Sequence, residues 1–393
     1  MSDSIVILGA ARTPMGSFQG AFASLSAHDL GGAAIKAAIE RSGISPEKVD
    51  EVLFGNCLMA GQGQAPARQA GFKGGLPAST GAVTLSKMCG SAMEATLLAH
   101  DQLLAGSRDV MVAGGMESMT NAPYLLPKAR AGMRIGHDRI FDHMMLDGLE
   151  DAYEPGRSMG TFGEQCADKY KFTREAQDAF AIASVQRAKA ATESGAFSEE
   201  ITPVTVKGRA GDTVISIDEG PGKVKLDKVA TLKPAFKKDG TITAASSSSI
   251  SDGAAALVLT RESTAKALGA KPIARIIGHA TFAQAPDWFT TAPIGAVKKL
   301  LKKIGWSVGD VELWEVNEAF AVVPMAAMND LDISHAIMNV NGGACALGHP
   351  IGASGARIIV TLIYALKARG LTKGLATLCI GGGEATAIAI EVL

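Results

Sequence analysis

Cys89 stands in LSKMCGSAME (85–94), between an extended run and a helical pattern, and three other chemically suggestive stretches lie far from it in the chain. They are WEVNEAF (314–320), GHP (348–350) and CIGGG (379–383). Taken singly, each has a plain reading: a buried small thiol, a helix cap, a satisfied turn histidine and a tight connection between strands. Together they form a chemical set. A helix N-terminus and a neighbouring imidazole lower a cysteine's pKa, and the thiolate is the attacking form. Glycines around His349 and after Cys379 let the main chain approach a substrate and offer N–H groups to a developing oxyanion. A second thiol near a thioester carbonyl can exchange a proton with the α-carbon. The reaction class this set requires is acyl transfer followed by carbon–carbon bond formation or cleavage.

The elements that must position these residues alternate. SIVILGA (4–10) reads as a buried strand, 27–41 as a helix closed by Gly43, EVLFGN (51–56) as strand and 65–72 as a short helix. AVTLS (82–86) is strand, 89–105 helix stopped by Gly106, and DVMVAGG (109–115) strand. Such alternation implies a parallel sheet with covering helices, an α/β fold. Prolines, charges and methionines then mark an insert around one amphipathic helix, 173–195, before DGAAALVLT (252–260) returns to strand.

The second half repeats the first. ARIIGHA (274–280), VELWEV (311–316), AIMNV (336–340), LATLCI (375–380) and ATAIAIEV (385–392) read as strands, with helices at 294–304, 319–328 and 350–369. The expected organisation is one half from 1–118 with 249–270, an inserted lobe at 119–248, and a second half at 271–393. Near two-fold stacking of the halves brings the start of each third helix together, and with them Cys89 and His349.

Composition narrows the partners. Of 393 residues, 47% are hydrophobic and 20% charged, a well-buried globular chain, and 45 glycines cluster at strand ends. A net charge of −1 without a basic stripe argues against nucleic acid and anionic membranes as partners. Five scattered cysteines without a CxxC pair argue against a disulfide scaffold or a zinc site, and for a reducing compartment. No apolar run reaches membrane-spanning length, and the strand-like start leaves no room for a targeting peptide, so the cytoplasm is expected.

The chain resembles the thiolase superfamily, and within it the short-chain acetyl-CoA acetyltransferases. The resemblance rests on ARTPMGSF (11–18), KMCGSAM (87–93), AGGMESMTNAPY (113–124), WEVNEAF, NGGACALGHPIGASGAR (341–357) and CIGGG. It implies a five-layered α-β-α-β-α fold from two βαβαβαββ halves, with an inserted loop domain that binds coenzyme A. Family members are usually tetramers, with residues near 125–147 building that contact.

By resemblance, Cys89 is the acylated nucleophile, His349 activates it, and Cys379 is the acid and base at the α-carbon. Asn317 holds a water that forms one oxyanion hole with His349, and the N–H groups of Cys89 and Gly381 form the other. Coenzyme A contacts carry over to Leu149, Ser158, Met159, Lys223, Phe236, Ala244, Ser248, Ala319 and Phe320. Ser158 stands where many biosynthetic relatives have histidine, and Lys223 where many have arginine, so a point contact replaces a fork. Met159 with Trp288 and Phe289 crowds the acyl end. The implied reaction is reversible condensation of two acetyl-CoA to acetoacetyl-CoA and free CoA. It needs no cofactor and no metal. A broader 3-ketoacyl-CoA thiolase is the alternative enzyme. A ketosynthase has histidine where this chain has Cys379, and a non-catalytic acyl-CoA or lipid binder predicts loss of Cys89, His349 or Cys379.

Overall fold

A computed structural model of the chain describes residues 3–209 and 211–393. The first strand, Ile5–Arg12, shows why its sequence is apolar on every side. Ile5 and Ile7 enter one core cluster while Val6 and Leu8 enter another, so both faces of the strand are covered.

Across the first half the strands lie in the order 81–85, 51–55, 110–118, 251–261 and 5–12. Across the second half they lie in the order 313–316, 373–380, 384–392 and 274–283. The plan is the same. In the first half 51–55 runs parallel to 110–118, and 251–261 runs antiparallel between 110–118 and 5–12; in the second, 313–316 runs parallel to 373–380, and 384–392 runs antiparallel between 373–380 and 274–283. The halves join where Val6 and Ile7 pair with Arg275 and Ala274.

Five layers result, as the resemblance implies. Helices Ala27–Ser42 and Pro66–Lys73 cover the outer face of the first half, and Ala292–Ile304 and Val322–Leu331 that of the second. Ser91–Leu104 and Ser354–Arg369 pack on each other in the middle layer. The contact is close because glycine permits it. A Cβ on Gly115 would stand 2.1 Å from the carbonyl oxygen of Gly352, and one on Gly355 would stand 2.4 Å from the Met93 nitrogen.

One expected strand is absent as a strand. Residues 336–340 give a 3₁₀ turn at His335–Ile337 and a single bridge from Met338 to Trp314. Asn339 adopts a left-handed backbone, and its side-chain amide takes both main-chain groups of Val316. Val316 N–H donates to Asn339 Oδ1 at 2.9 Å, and Asn339 Nδ2 donates to the Val316 carbonyl at 2.8 Å. A side chain thus satisfies groups that a fifth strand would otherwise pair. Helix starts also differ. The expected 89–105, 319–328 and 350–369 are Ser91–Leu104, Val322–Leu331 and Ser354–Arg369, so the reactive residues sit in turns just before the helices.

The insert carries helices Gly160–Tyr170 and Arg174–Glu193, the latter capped by Thr173. The ARTPMGSF motif ties it down. Buried Arg12 donates to Glu200 at 2.5 Å and to both oxygens of Asp218 at 2.7 and 2.9 Å. Removing one partner of such a pair typically costs about 3–5 kcal/mol. No helix among the described residues is long and apolar enough to cross a membrane.

Candidate active site

Cys89 follows Met88, a non-glycine residue with φ of 45°, and precedes Gly90, the residue before helix Ser91–Leu104. A Cβ on Gly90 would stand 2.3 Å from Ile380 Cδ1, so glycine lets this turn lie against the CIGGG turn. The N–H groups of Gly381 and of Cys89 itself reach the sulfur. Cys89 is partly exposed, whereas Cys57, Cys166, Cys345 and Cys379 are buried. Burial nevertheless pushes the Cys89 thiol up to about 11, against the pull of those two N–H groups. The depressed pKa expected from the sequence is therefore not what the resting site has: desolvation outweighs the donors.

His349 is buried, and its tautomer follows from its neighbour. Ser354 Oγ donates to the Pro350 carbonyl at 2.9 Å, so it accepts from His349 Nδ1, 2.6 Å away. Nδ1 then carries the hydrogen and Nε2 a free lone pair. That Nε2 is buried without a protein partner. Burial and the nearby Arg357 charge hold the ring neutral, with its pKa lowered to about 3. A neutral imidazole with a bare Nε2 is a general base.

Asn317 follows strand Leu313–Val316, with Nδ2 3.5 Å from His349 Nδ1 and Oδ1 buried without a partner. Its successor Glu318 fixes the turn by accepting from Ser184 Oγ at 2.7 Å, Asn339 Nδ2 at 2.8 Å and Cys345 N–H at 3.0 Å. Cys379 lies on strand Lys373–Ile380. Burial holds its thiol well above the ordinary range, and the charge of Cys89 adds to the rise.

Cys89, His349 and Gly381 line one cavity of about 70 Å³ with Leu149, Met159, Ser248, Phe289, Ala319 and Phe320. Asn317 and Cys379 are buried and do not line it. Phe236 packs edge-on to Phe320 with ring centroids 5.7 Å apart. Phe236 reaches the cavity only through Phe320, and three further expected contacts are not brought to it. Ser158 bridges to Glu150, Ala244 is exposed, and Lys223 pairs with Glu219 at 3.1 Å. Ser354, Glu117 and the pair Lys87–Glu384 support the site, and no sequence motif gives Ser354, Glu117 or Lys87 that part. Lys87–Glu384 ties the turn before Cys89 to the strand after CIGGG.

The comparisons match the whole chain. The family model described as "Thiolase, N-terminal domain" matches residues 5–263, and "Thiolase, C-terminal domain" matches residues 270–392. The chain is 49% identical to an acetyl-CoA acetyltransferase of Rhizobium meliloti (strain 1021), over 100% of both chains. A probable acetyl-CoA acetyltransferase of Dictyostelium discoideum is 47% identical over 100% of this chain and 94% of its own. Among solved structures, the acetyl-CoA acetyltransferase of Bacillus anthracis superposes with a TM-score of 0.97 at 41% identity, covering 100% of this chain and 99% of that one. The Acat5 thiolase of Ascaris suum in complex with coenzyme A gives 0.94 at 43% identity, covering 99% and 100%. With both halves matched and relatives that share nearly half of its residues end to end, the chain belongs to the thiolase family.

Proposed function

We infer that this chain is an acetyl-CoA C-acetyltransferase, an acyltransferase that joins two acetyl-CoA into acetoacetyl-CoA and CoA, reversibly. The observation that carries the reading is the pairing of a substrate-accessible thiol with a neutral histidine whose bare Nε2 is buried beside it. As the Cys89 sulfur bonds to the acetyl carbonyl carbon, its proton passes to His349 Nε2. The Cys89 and Gly381 N–H groups receive developing negative charge, and so does the new Nε2–H with an Asn317-held water. The carbon–sulfur bond to CoA breaks, and CoA leaves with the Cys379 proton. The Cys379 thiolate takes the α-proton of a second acetyl-CoA, whose carbanion attacks acetyl-Cys89. The Cys89 sulfur departs and recovers its proton from His349. A high-pKa thiol suits Cys379, because a strong base is needed for a carbon acid.

This chemistry uses side chains and main chain alone, so we propose no cofactor besides the CoA thioester substrates. The acyl end favours a short chain. Met159 and Phe289 take up part of the lining of a cavity of only about 70 Å³, and that bulk favours a short acyl group over the longer chains of a broad 3-ketoacyl-CoA thiolase. We assign Leu149, Met159, Phe236, Ser248, Ala319 and Phe320 to the pantetheine and acyl portions, and Ser158, Lys223 and Ala244 to the outer parts of the CoA path. A homotetramer is supported by the segment carrying Tyr124, Met133, Ile135 and Ile140, apolar side chains that stand exposed, Ile135 at 96%. Five free cysteines support a reducing, cytoplasmic setting.

The test compares thiolysis of acetoacetyl-CoA, its 2-methyl analogue and a longer 3-ketoacyl-CoA. Acetoacetyl-CoA should be cleaved fastest. A preference for the longer substrate would replace this reading with the broader thiolase.

A further inference from the structure

Helix Ser91–Leu104 starts beside Cys89, and near its far end His100 and Asp101 meet His279 of strand Ala274–Ala283. His100 Nδ1 and His279 Nε2 each lie 2.9 Å from the same oxygen, Asp101 Oδ1, and 3.2 Å from one another. Among the described residues, this is the one group of three His, Cys, Asp or Glu side chains whose ligand atoms converge. The acyl-transfer chemistry uses none of them.

The three atoms outline a nearly equilateral triangle. Zinc-class ions bind imidazole nitrogen and carboxylate oxygen at about 2.0–2.2 Å. An ion at that distance from three atoms about 3 Å apart sits about 1 Å above their plane, so the triangle already matches one face of a tetrahedral or octahedral shell. Hydrogen bonding alone fits less well. Either one carboxylate oxygen accepts from both rings while their hydrogens converge across 3.2 Å, or one ring donates to the other, whose bare nitrogen then faces that oxygen at 2.9 Å. The donor set of two imidazoles and one carboxylate suits zinc, cobalt, nickel or copper over magnesium or calcium, which prefer all-oxygen shells.

We propose that His100, Asp101 and His279 form a three-ligand site for a zinc-class divalent transition-metal ion, which ties the end of the helix that presents Cys89 to the first strand of the second half. The charges nearby favour a cation on balance. Asp101 and Glu94 act on this cluster, and one Glu94 oxygen is buried without a partner, while Lys303, which donates to the His279 carbonyl at 3.1 Å, opposes them. Burial keeps His100 below its ordinary pKa, so the ring is neutral at pH 7, as a ligand must be. A neutral ring releases no proton on binding: the hydrogen on its ligating nitrogen moves to the other ring nitrogen. No sequence spacing announces the site, because Asp101 and His279 are 178 residues apart.

The test uses the full chain with Cys89 first alkylated, so that the active-site thiol cannot compete. Zinc and cobalt(II) are titrated by calorimetry, with the cobalt spectrum recorded. One equivalent per chain, a raised Tm and a spectrum free of sulfur-to-metal charge transfer are expected. His279→Ala and His100→Ala should each weaken binding by at least about tenfold, the lower end of what loss of a supporting ligand contact costs. Asp101 is exposed, so Asp101→Asn tests the same point if a histidine variant fails to fold. Absence of saturable binding, undiminished binding by the folded variants, or thiolate bands in the cobalt spectrum would each overturn the proposal.

Discussion

Glu117 and Cys379 occupy equivalent positions in the two halves. Gly55 pairs with Gly115 and is followed by Asn56; Val316 pairs with Thr377 and is followed by Asn317. Glu117 and Cys379 each lie two residues beyond those pairs. One half has a thiol there, to which the proposed mechanism gives the α-proton, and the other a carboxylate that fixes position. Glu117 accepts from Asn56 Nδ2 at 2.6 Å, Cys57 N–H at 2.9 Å, Leu58 N–H at 3.1 Å and Gly352 N–H at 2.9 Å. The last of these ties down the turn that follows His349.

Glu117→Gln turns an amide N–H₂ toward donors that have lost an acceptor. Leaving buried groups unsatisfied costs about 1–3 kcal/mol, and that loss is expected in a denaturant melt. Acetyl-Cys89 formation should slow as well, because Gly352 lies three residues after His349. Wild-type stability and acylation rate in this variant would mean the network does not position the histidine.

The resting pair is thiol and imidazole, not thiolate and imidazolium. Cys89 lies near 11 and His349 near 3. Alkylation of Cys89 by iodoacetamide should therefore rise about tenfold per pH unit through pH 9, as the thiolate fraction does below its pKa. An ion pair would instead give a plateau near neutrality. Stability carries a matching sign. The folded pKa of His349 is below its unfolded value of about 6.5, so its contribution is full above that pH and is lost as pH falls toward 3. His349→Asn should flatten that part of the acid limb in a pH series of melts.

Met159 and Phe289 line the cavity, with Phe289 packed against Phe162 and Phe320, and the proposed function puts them at its acyl end. Replacing either by alanine should raise activity on a longer 3-ketoacyl-CoA relative to acetoacetyl-CoA. One methylene in a pocket is worth about 1–3 kcal/mol, so a shift of roughly ten- to a hundredfold is expected, not a reversal of class. An unchanged ratio in both variants would locate the limit elsewhere.

What the sequence made legible follows from period and position. Strands such as Ile5–Arg12 are apolar on both faces, and the helices carry their stops, Gly43 and Gly106, at positive φ. The duplication places Cys89 and His349 at matching turns. Side-chain substitutions for main-chain pairing are not periodic, so Asn339 replacing a fifth strand was invisible. So was Ser354, whose role depends on a hydroxyl meeting a ring five residues earlier in a turn of unknown geometry. The Cys89 pKa departs from the sequence expectation because helix ends and imidazoles can be read from a sequence, while desolvation cannot. Lys223 shows the limit of transfer by position: its partner here, Glu219, belongs to the same short helix.

The two thiols should separate cleanly. If Cys89 carries the acetyl group and Cys379 moves the α-proton, Cys379→Ala should still take acetyl from acetyl-CoA. That half-reaction keeps Cys89, the bare Nε2 of His349 and the N–H groups of Cys89 and Gly381; it loses only the Cys379 proton for the departing CoA, so acetylation should be slowed but not abolished. Condensation should fall by at least about a hundredfold, since general acid–base groups contribute about 10²–10⁴. Thiolysis should fall alike, because the leaving carbanion lacks its proton. Cys89→Ala, by contrast, should form no adduct, its remaining cysteines being buried. Intact-mass spectrometry after mixing each variant with acetyl-CoA reads the result. An acetyl adduct on Cys89→Ala, or near-normal condensation by Cys379→Ala, would overturn this division of labour.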